Sequence, residues 1–366
     1  MKVILSFCVL ITLCLNNLVS ANPAQTHLSS FVHQMTLQRD SIKTRVNQWV
    51  SPVQITLPIA GGYIDLQSAI MGVEQTGLVN QSIWGALDTQ INGQWSLGHR
   101  ALISLHASLP TGKSLDKNGV GLLQVLLRND LNFPVKTFGQ GLNAGGALSV
   151  VHHQGHWSLS MGGGYAYKGK YNPVDSVANY KPGDEISGSL GFDYTYKKWV
   201  YRVTTTGTFY LTDRHNGLVV FRNGKQLLLQ GSMLYTGRRF RLKAEVTEII
   251  RMKNKDLLSN DQFLYELRDS NGNDFRAHIE TSWTPTSFVT FFGTGYFKHL
   301  TANAHVPTSP IYQGNAHLFE GGGGLALSFG KAVHLTLHGT RLTGKAEDAT
   351  LILSAFNLRG ALSIVF

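Results

Sequence analysis

In the C-terminal half of this 366-residue chain, charged and imidazole side chains recur at every second position. Arg241, Lys243 and Glu245 alternate with Phe240, Leu242, Ala244 and Val246; Arg276, His278 and Glu280 alternate with Phe275, Ala277 and Ile279. A period of two puts each set on one face of an extended strand. Two such strands side by side would present a facing ladder of cations and carboxylates. Such a ladder either selects a polar or anionic solute passing over it or braces the wall with ion pairs, and both readings stand. The same pattern adds Asp88, Arg100, His106, Asp193, Arg202, Glu320, His334, His338 and Arg359 to the polar face. His334 and His338, four apart on a strand, are separated by about 13 Å, too far to share a metal. No metal or other cofactor is expected. Ser, His and Asp all occur, but no spacing singles out a nucleophile, a base and an orienting partner at one rim, so no catalytic residue is assigned and the chain is not expected to be an enzyme.

These faces must be positioned by strands. Fourteen alternating segments run from residue 63 to residue 366, with turn residues between them. Short connections, such as 153–155, 197–198, 285–286 and Gly330, alternate with longer ones, such as 111–139, 169–184, 252–272 and 299–316. That alternation predicts an all-β fold: a transmembrane antiparallel β-barrel of about 14 strands with short periplasmic turns and longer external loops. An apolar exterior and a polar lumen account for the two faces. Trp95, Trp157, Trp199, Phe240, Trp283, Phe329 and Phe366 fall at one set of strand ends, as an interfacial girdle would. The loop 111–139 carries a possible short helix over 120–128.

At the front, Lys2 precedes an apolar run and Val19-Ser20-Ala21 offers small residues for cleavage, so 1–21 reads as a signal peptide. Cys8 and Cys14 both lie within it, which leaves the exported chain without thiols or disulfides. Residues 22–61 are irregular and read as an N-terminal periplasmic extension or a plug in the barrel mouth, with 62–366 as the barrel. The formal net charge of +10 suits anionic headgroups or anionic solutes. Export argues against a nucleic-acid partner.

The last segment places Ile352, Phe356, Leu358, Leu362, Ile364 and Phe366 on one face and Asn357, Arg359, Ala361 and Ser363 on the other. A closing strand that ends on Phe resembles the C-terminal assembly signal of bacterial outer-membrane barrels, with Phe366, Ile364 and Leu362 as its residues here. Gly85-Ala86-Leu87-Asp88-Thr89 and Leu109-Pro110-Thr111-Gly112-Lys113 resemble a G-x-x-D-T … P-T-G pattern of outer-membrane transporters for aromatic and other hydrophobic compounds. The strand number and the segment before the first strand resemble the long-chain fatty-acid transporter class. The resemblance implies a location in the cell outer membrane and a channel or transporter for passive uptake of small solutes, hydrophobic or anionic. It also implies outer-membrane lipids, lipopolysaccharide and the barrel-assembly machinery as partners. The alternatives are a structural or adhesive barrel without transport and, behind it, an outer-membrane barrel hydrolase.

Overall fold

The structure is a computed structural model that describes residues 23–77, 79–114, 119–173, 179–257, 263–309 and 312–366. The signal peptide expected at 1–21 lies outside these residues. Strands come first in the chain: β1 (Gln25–Arg39), β2 (Ile42–Ile59), β3 (Gly62–Thr76), β4 (Gln81–Ala86), β5 (Thr89–Leu97) and β6 (Ala101–Leu109). A helix, α1 (Val120–Leu127), precedes β7 (Asn143–Gln154), β8 (Trp157–Lys168), β9 (Tyr180–Lys181), β10 (Glu185–Tyr196) and β11 (Trp199–Tyr210). Next are β12 (Asp213–His215), β13 (Leu218–Arg222), β14 (Gln226–Thr236), β15 (Phe240–Arg251), β16 (Lys255–Leu257) and β17 (Phe263–Tyr265). The chain ends with β18 (Asp274–Trp283), β19 (Val289–Leu300), β20 (Ala316–Phe329), β21 (Val333–Ala346) and β22 (Leu351–Val365).

Each long strand pairs antiparallel with its sequence neighbour, and β1 pairs with β22, so the sheet closes on itself. β4 and β5 both pair with β3 and form one wall strand with a break at 87–88, which makes the barrel 16-stranded. The expected 14 is therefore two short. The missing pair is β1 and β2, drawn from the segment expected to be an extension or plug. Closure explains why they must be wall: without them β22 and β3 would each keep an unpaired edge in the membrane, where water cannot satisfy it. β9, β12, β13, β16 and β17 form a separate antiparallel sheet built from three of the longer connections.

The register fixes the two faces. Leu28, Leu362 and Leu335 lie side by side on the outside, as do Val32, Leu358 and Gly339. Aromatic side chains mark both ends of this band. Trp199 packs on Tyr235 with centroids 4.8 Å apart and Phe288 on Phe329 at 5.1 Å near the short turns; Trp49 packs on Trp84 at 5.2 Å and Phe297 on Phe319 at 4.9 Å toward the long loops. A closed barrel with an apolar exterior bounded by two aromatic belts is a membrane-spanning object.

β22 carries its outward Leu362 and Ile364 against Leu28 and Thr26 of β1, and the Phe366 N–H donates to the Ala24 carbonyl at 2.9 Å. Ser363 faces inward, its hydroxyl 2.5 Å from His27 Nδ1. Replacing Phe366 with Asp is expected to reduce the heat-modifiable, inserted fraction severalfold, whereas Ser363→Ala leaves it nearly unchanged. Equal insertion of the two variants would show that the outward aromatic terminus has no part in assembly.

Candidate functional site

The interior is blocked on one side by the chain between β6 and β7. Its helix reads V-G-L-L-Q-V-L-L, and Leu122 and Leu126, one turn apart on a single face, are 0% and 1% exposed. With Leu131, Phe133 and Phe138 they pack on Met35 and Val46 of β1 and β2, Met71 of β3, and Leu318, Leu342 and Leu353 of β20, β21 and β22. This is the protein's apolar core, and it lies inside the barrel at the long-loop end. Burying each leucine contributes about 1.5–3 kcal/mol.

Polar contacts hold the plug where leucines cannot. Buried Gln48 acts as a surrogate strand edge: its Nε2 donates to the Val135 carbonyl at 2.6 Å and its Oε1 accepts the Val135 N–H at 3.2 Å. Lys298 of β19 donates to the Asn129 carbonyl. Arg128 forms a fork with Asp130 and reaches Glu347 at 2.8 Å, and the same Glu347 pairs with Arg39. Gln48 and Lys298, buried and so satisfied, fix one orientation, and removing such a partner costs about 1–3 kcal/mol.

The stems of the plug loop meet at the break in the wall. Asp88 accepts the Gly112 N–H at 2.8 Å through one oxygen and the Gln140 N–H at 2.6 Å through the other. Thr89 donates its N–H to Thr111 Oγ1 at 2.8 Å, and the Lys113 N–H reaches the Ala86 carbonyl at 3.0 Å. A Cβ at Gly112 would lie 2.4 Å from the Phe138 carbonyl oxygen, so only glycine fits there. The residues of the G-x-x-D-T and P-T-G stretches thus form a clasp, and Asp88 is a backbone acceptor at the hinge of the plug rather than a lining residue of the open lumen. Arg100 also departs from the expectation, because it sits in the exposed turn 98–100 before β6.

The remaining sequence-derived positions face inward, but few of them pair as a cross-strand ladder. Register sets Lys243 opposite Glu280, Glu245 opposite His278, Arg241 opposite Ser282 and Thr247 opposite Arg276. Ion pairs nevertheless form along strands, Lys243 to Glu245 at 2.8 Å and Arg276 in a two-bond fork with Asp274 at 2.9 and 2.6 Å, while His278 Nε2 lies 3.7 Å from the Glu280 carboxylate. Asp193 and Arg202 are directly opposed and do join across strands, at 2.7 and 2.8 Å. His106 lies over the bare backbone of Gly145, His334 meets Ser328 at 2.9 Å, and His338 packs on Phe292 at 5.2 Å beside Arg359 on the next strand. The two histidines are thus engaged with different neighbours.

Two features were missed from sequence. The first is a polar chain beneath the plug, in which Asn357 joins His33 to Glu320 (2.7 Å from Asn357 to Glu320) and Thr340 also bonds Glu320. His33 lay in a segment not read as wall. The second is a cluster where the plug meets β15, β18 and β19: Lys136 of the plug lies in the field of Arg276, Asp274 and Arg251, and Lys298 stands 3.6 Å from the Asp274 carboxylate. Elsewhere on the inner face Arg202 and Glu280 are half exposed, with side-chain exposures of 56% and 50%, so the lumen is solvated at these positions.

Three carboxylates tie down the external loops. Asp348 is held below the usual carboxylate range by the Tyr312 hydroxyl and by the Asn315 N–H at 2.9 Å. Burial pushes Glu266 up, but bonds from Ser270 at 2.6 Å and the Asn254 N–H at 2.9 Å outweigh it, and its pKa is lowered. Burial likewise opposes ionisation of Asp184, and the Lys168 N–H, the Tyr165 hydroxyl and Lys181 prevail. Depressed folded-state values mean that these bonds contribute in full above about pH 5 and are lost as pH falls through the carboxylate range and below. Amide exchange in 252–257, 263–273, 301–309 and 312–315 is therefore expected to quicken in acid while the wall strands stay protected. Exchange that ignores pH after correction for its intrinsic rate would refute this.

The fold and the site define a class, the closed transmembrane β-barrel with an internal constriction. No family model matches this chain. No curated protein matches it either. Among solved structures it is similar to the TodX ΔS2S3 mutant monoaromatic hydrocarbon channel at 12% identity, over 95% of this chain and 91% of that one, with a TM-score of 0.47. OccK9 (OpdG) of Pseudomonas aeruginosa matches at 8% identity over 95% and 100%, with a TM-score of 0.47. OmpTΔL8, an outer membrane protein of Vibrio cholerae with loop L8 deleted, matches at 8% over 95% and 100%, with a TM-score of 0.44. Closure and strand number rest on the register of this barrel itself.

Proposed function

We propose that this protein is an outer-membrane channel for passive diffusion of small polar solutes, with a preference for anions. The observation that carries the reading is the asymmetry of the constriction. The plug's apolar residues share one buried cluster with β1–β4 and β19–β22, and on its polar side Lys136 lies in the field of Arg276 and Arg251 together with the carboxylates of Asp274 and Asp130. The cluster sets Lys136, Arg251, Arg276 and Lys298 against Asp274 and Asp130, and an excess of positive charge there lowers the barrier for an anion and raises it for a cation. The closed barrel with an apolar exterior between two aromatic belts supports the outer membrane as the location.

Single-channel recording in planar bilayers tests the reading. The wild-type protein is expected to show a reversal potential of anion-selective sign in a salt gradient, and Lys136→Glu with Arg251→Glu is expected to reverse that sign. Arg276 is left in place because its removal would strand the buried Asp274. No conductance, or a cation preference in the wild type, would defeat the proposal.

A further inference from the structure

The outer surface carries one charged feature that the lumen does not explain. Among the described residues, the outward positions of the wall strands hold Lys and Arg only at Lys43 and Arg45 of β2 and at Arg341 and Lys345 of β21. All four are exposed, and none has an ion-pair partner among the described residues. The two pairs flank β22 and β1, the seam where the barrel closes. Lys345 stands opposite Ile352, Ile352 opposite Gln38, and Gln38 opposite Lys43, so three interstrand steps of about 4.8 Å set the pairs about 14 Å apart. Thr36, Gln34 and Ser354 between them offer neutral hydrogen-bonding groups. Glu74, beside Asn47 on β3, is the acidic side chain on this face, and stacked His299 and His317 extend the row beyond Lys345.

Height identifies the environment. Arg341 is level with Phe356. From Phe356 to the terminal Phe366 the outward residues of β22 are apolar, and ten residues at about 3.3 Å on a strand tilted by about 40° rise about 25 Å, the thickness of the apolar band. The cations therefore begin where the hydrocarbon ends, on the side of the long loops. Below them Phe356, Leu358, Val32 and Trp49 offer a greasy wall against which acyl chains can lie. Elsewhere on the circumference, from β6 to β18, outward positions remain aromatic, aliphatic or small up to the external rim, except for Glu248, the hydroxyls of Thr205 and Thr281, and His152 and Gln154 near the short turns.

Resting on the proposed outer-membrane location, we infer that this seam is a binding site for a phosphorylated glycolipid of the outer leaflet. The two cation pairs take its anionic headgroup, and the apolar wall beneath takes its chains. Multiple Lys and Arg near an anionic surface act cooperatively, and their removal weakens binding steeply.

Native mass spectrometry of the purified full chain in detergent, with rough-type lipopolysaccharide as probe, tests the site. Phosphatase-treated lipopolysaccharide and phosphatidylethanolamine serve as comparison lipids. The wild type is expected to retain the phosphorylated probe at least about tenfold better than either comparison lipid. The quadruple variant K43Q/R45Q/R341Q/K345Q is expected to lose that advantage, while Lys225→Gln, a cation stacked on Phe209 on another face, keeps it. If the quadruple variant does not fold, K43Q/R45Q and R341Q/K345Q are measured separately, each with an intermediate loss. Retention unchanged in the variants, or equal for the dephosphorylated probe, would overturn the inference. Recovery of the protein outside the outer-membrane fraction would instead overturn the location, a result read from cell fractionation and independent of the binding measurement.

Discussion

Deleting residues 22–60 is expected to abolish barrel formation, with no heat-modifiable band in detergent gels and no conductance in bilayers. The segment supplies β1 and β2, whose ladders to β22 and β3 close the sheet. Without them the two edges would have to meet across a gap two strands wide or remain unpaired in hydrocarbon, where each unsatisfied backbone group costs several kcal/mol. The inner side of β1 and β2 would be lost as well, and with it Met35, Val46, Val50 and Gln48, the surface on which the plug is seated. A truncated protein that still folded and conducted would show that these residues line a separable plug and are not wall.

Replacing Leu122 and Leu126 together with Asp is expected to do the reverse, leaving the barrel intact and opening its interior. Both side chains are almost fully buried in an apolar cluster, where a carboxylate is costly, so the helix must leave its seat. The wall ladders contain none of these residues, and heat-modifiable mobility should persist. Conductance is expected to rise severalfold and to become noisy, as the loop from 110 to 142 moves between positions while its stems stay clasped by Asp88. Unchanged conductance in a folded double variant would show that the plug does not limit the passage.

The two results bear on how the chain encodes its architecture. The apolar exterior is continuous in sequence wherever a strand has lipid outside and water inside, and there the period of two reports the fold directly. β8, β10, β15, β18 and the lower half of β22 are of this kind, and their ends, faces and lumen-facing charges could be read from residue types alone. β1 and β2 break the rule for a physical reason. Their upper halves lie against the plug on the inside and above the hydrocarbon on the outside, so Met35, Val46 and Val50 point inward while Gln34, Thr36 and Arg45 point outward. Alternation persists with its polarity reversed, and a reading that assigns apolar residues to the lipid face finds no strand there.

What the sequence determined by itself was local: the all-β class, the antiparallel alternation of short and long connections, the aromatic belts, and which side of each regular strand carries charge. These follow from a two-residue repeat and from side-chain polarity, which need no knowledge of distant partners. What only the tertiary structure decided was which residues meet. Closure through β1 and β22, the seating of α1 on Leu318, Leu342 and Leu353, the pairing of Arg276 with Asp274 instead of with a carboxylate of the adjacent strand, and the gathering of Lys136 with Arg251 join positions far apart in the chain. Such contacts are selected by the shape of the closed interior and by the need to satisfy every buried polar group, and neither condition exists until the barrel has formed.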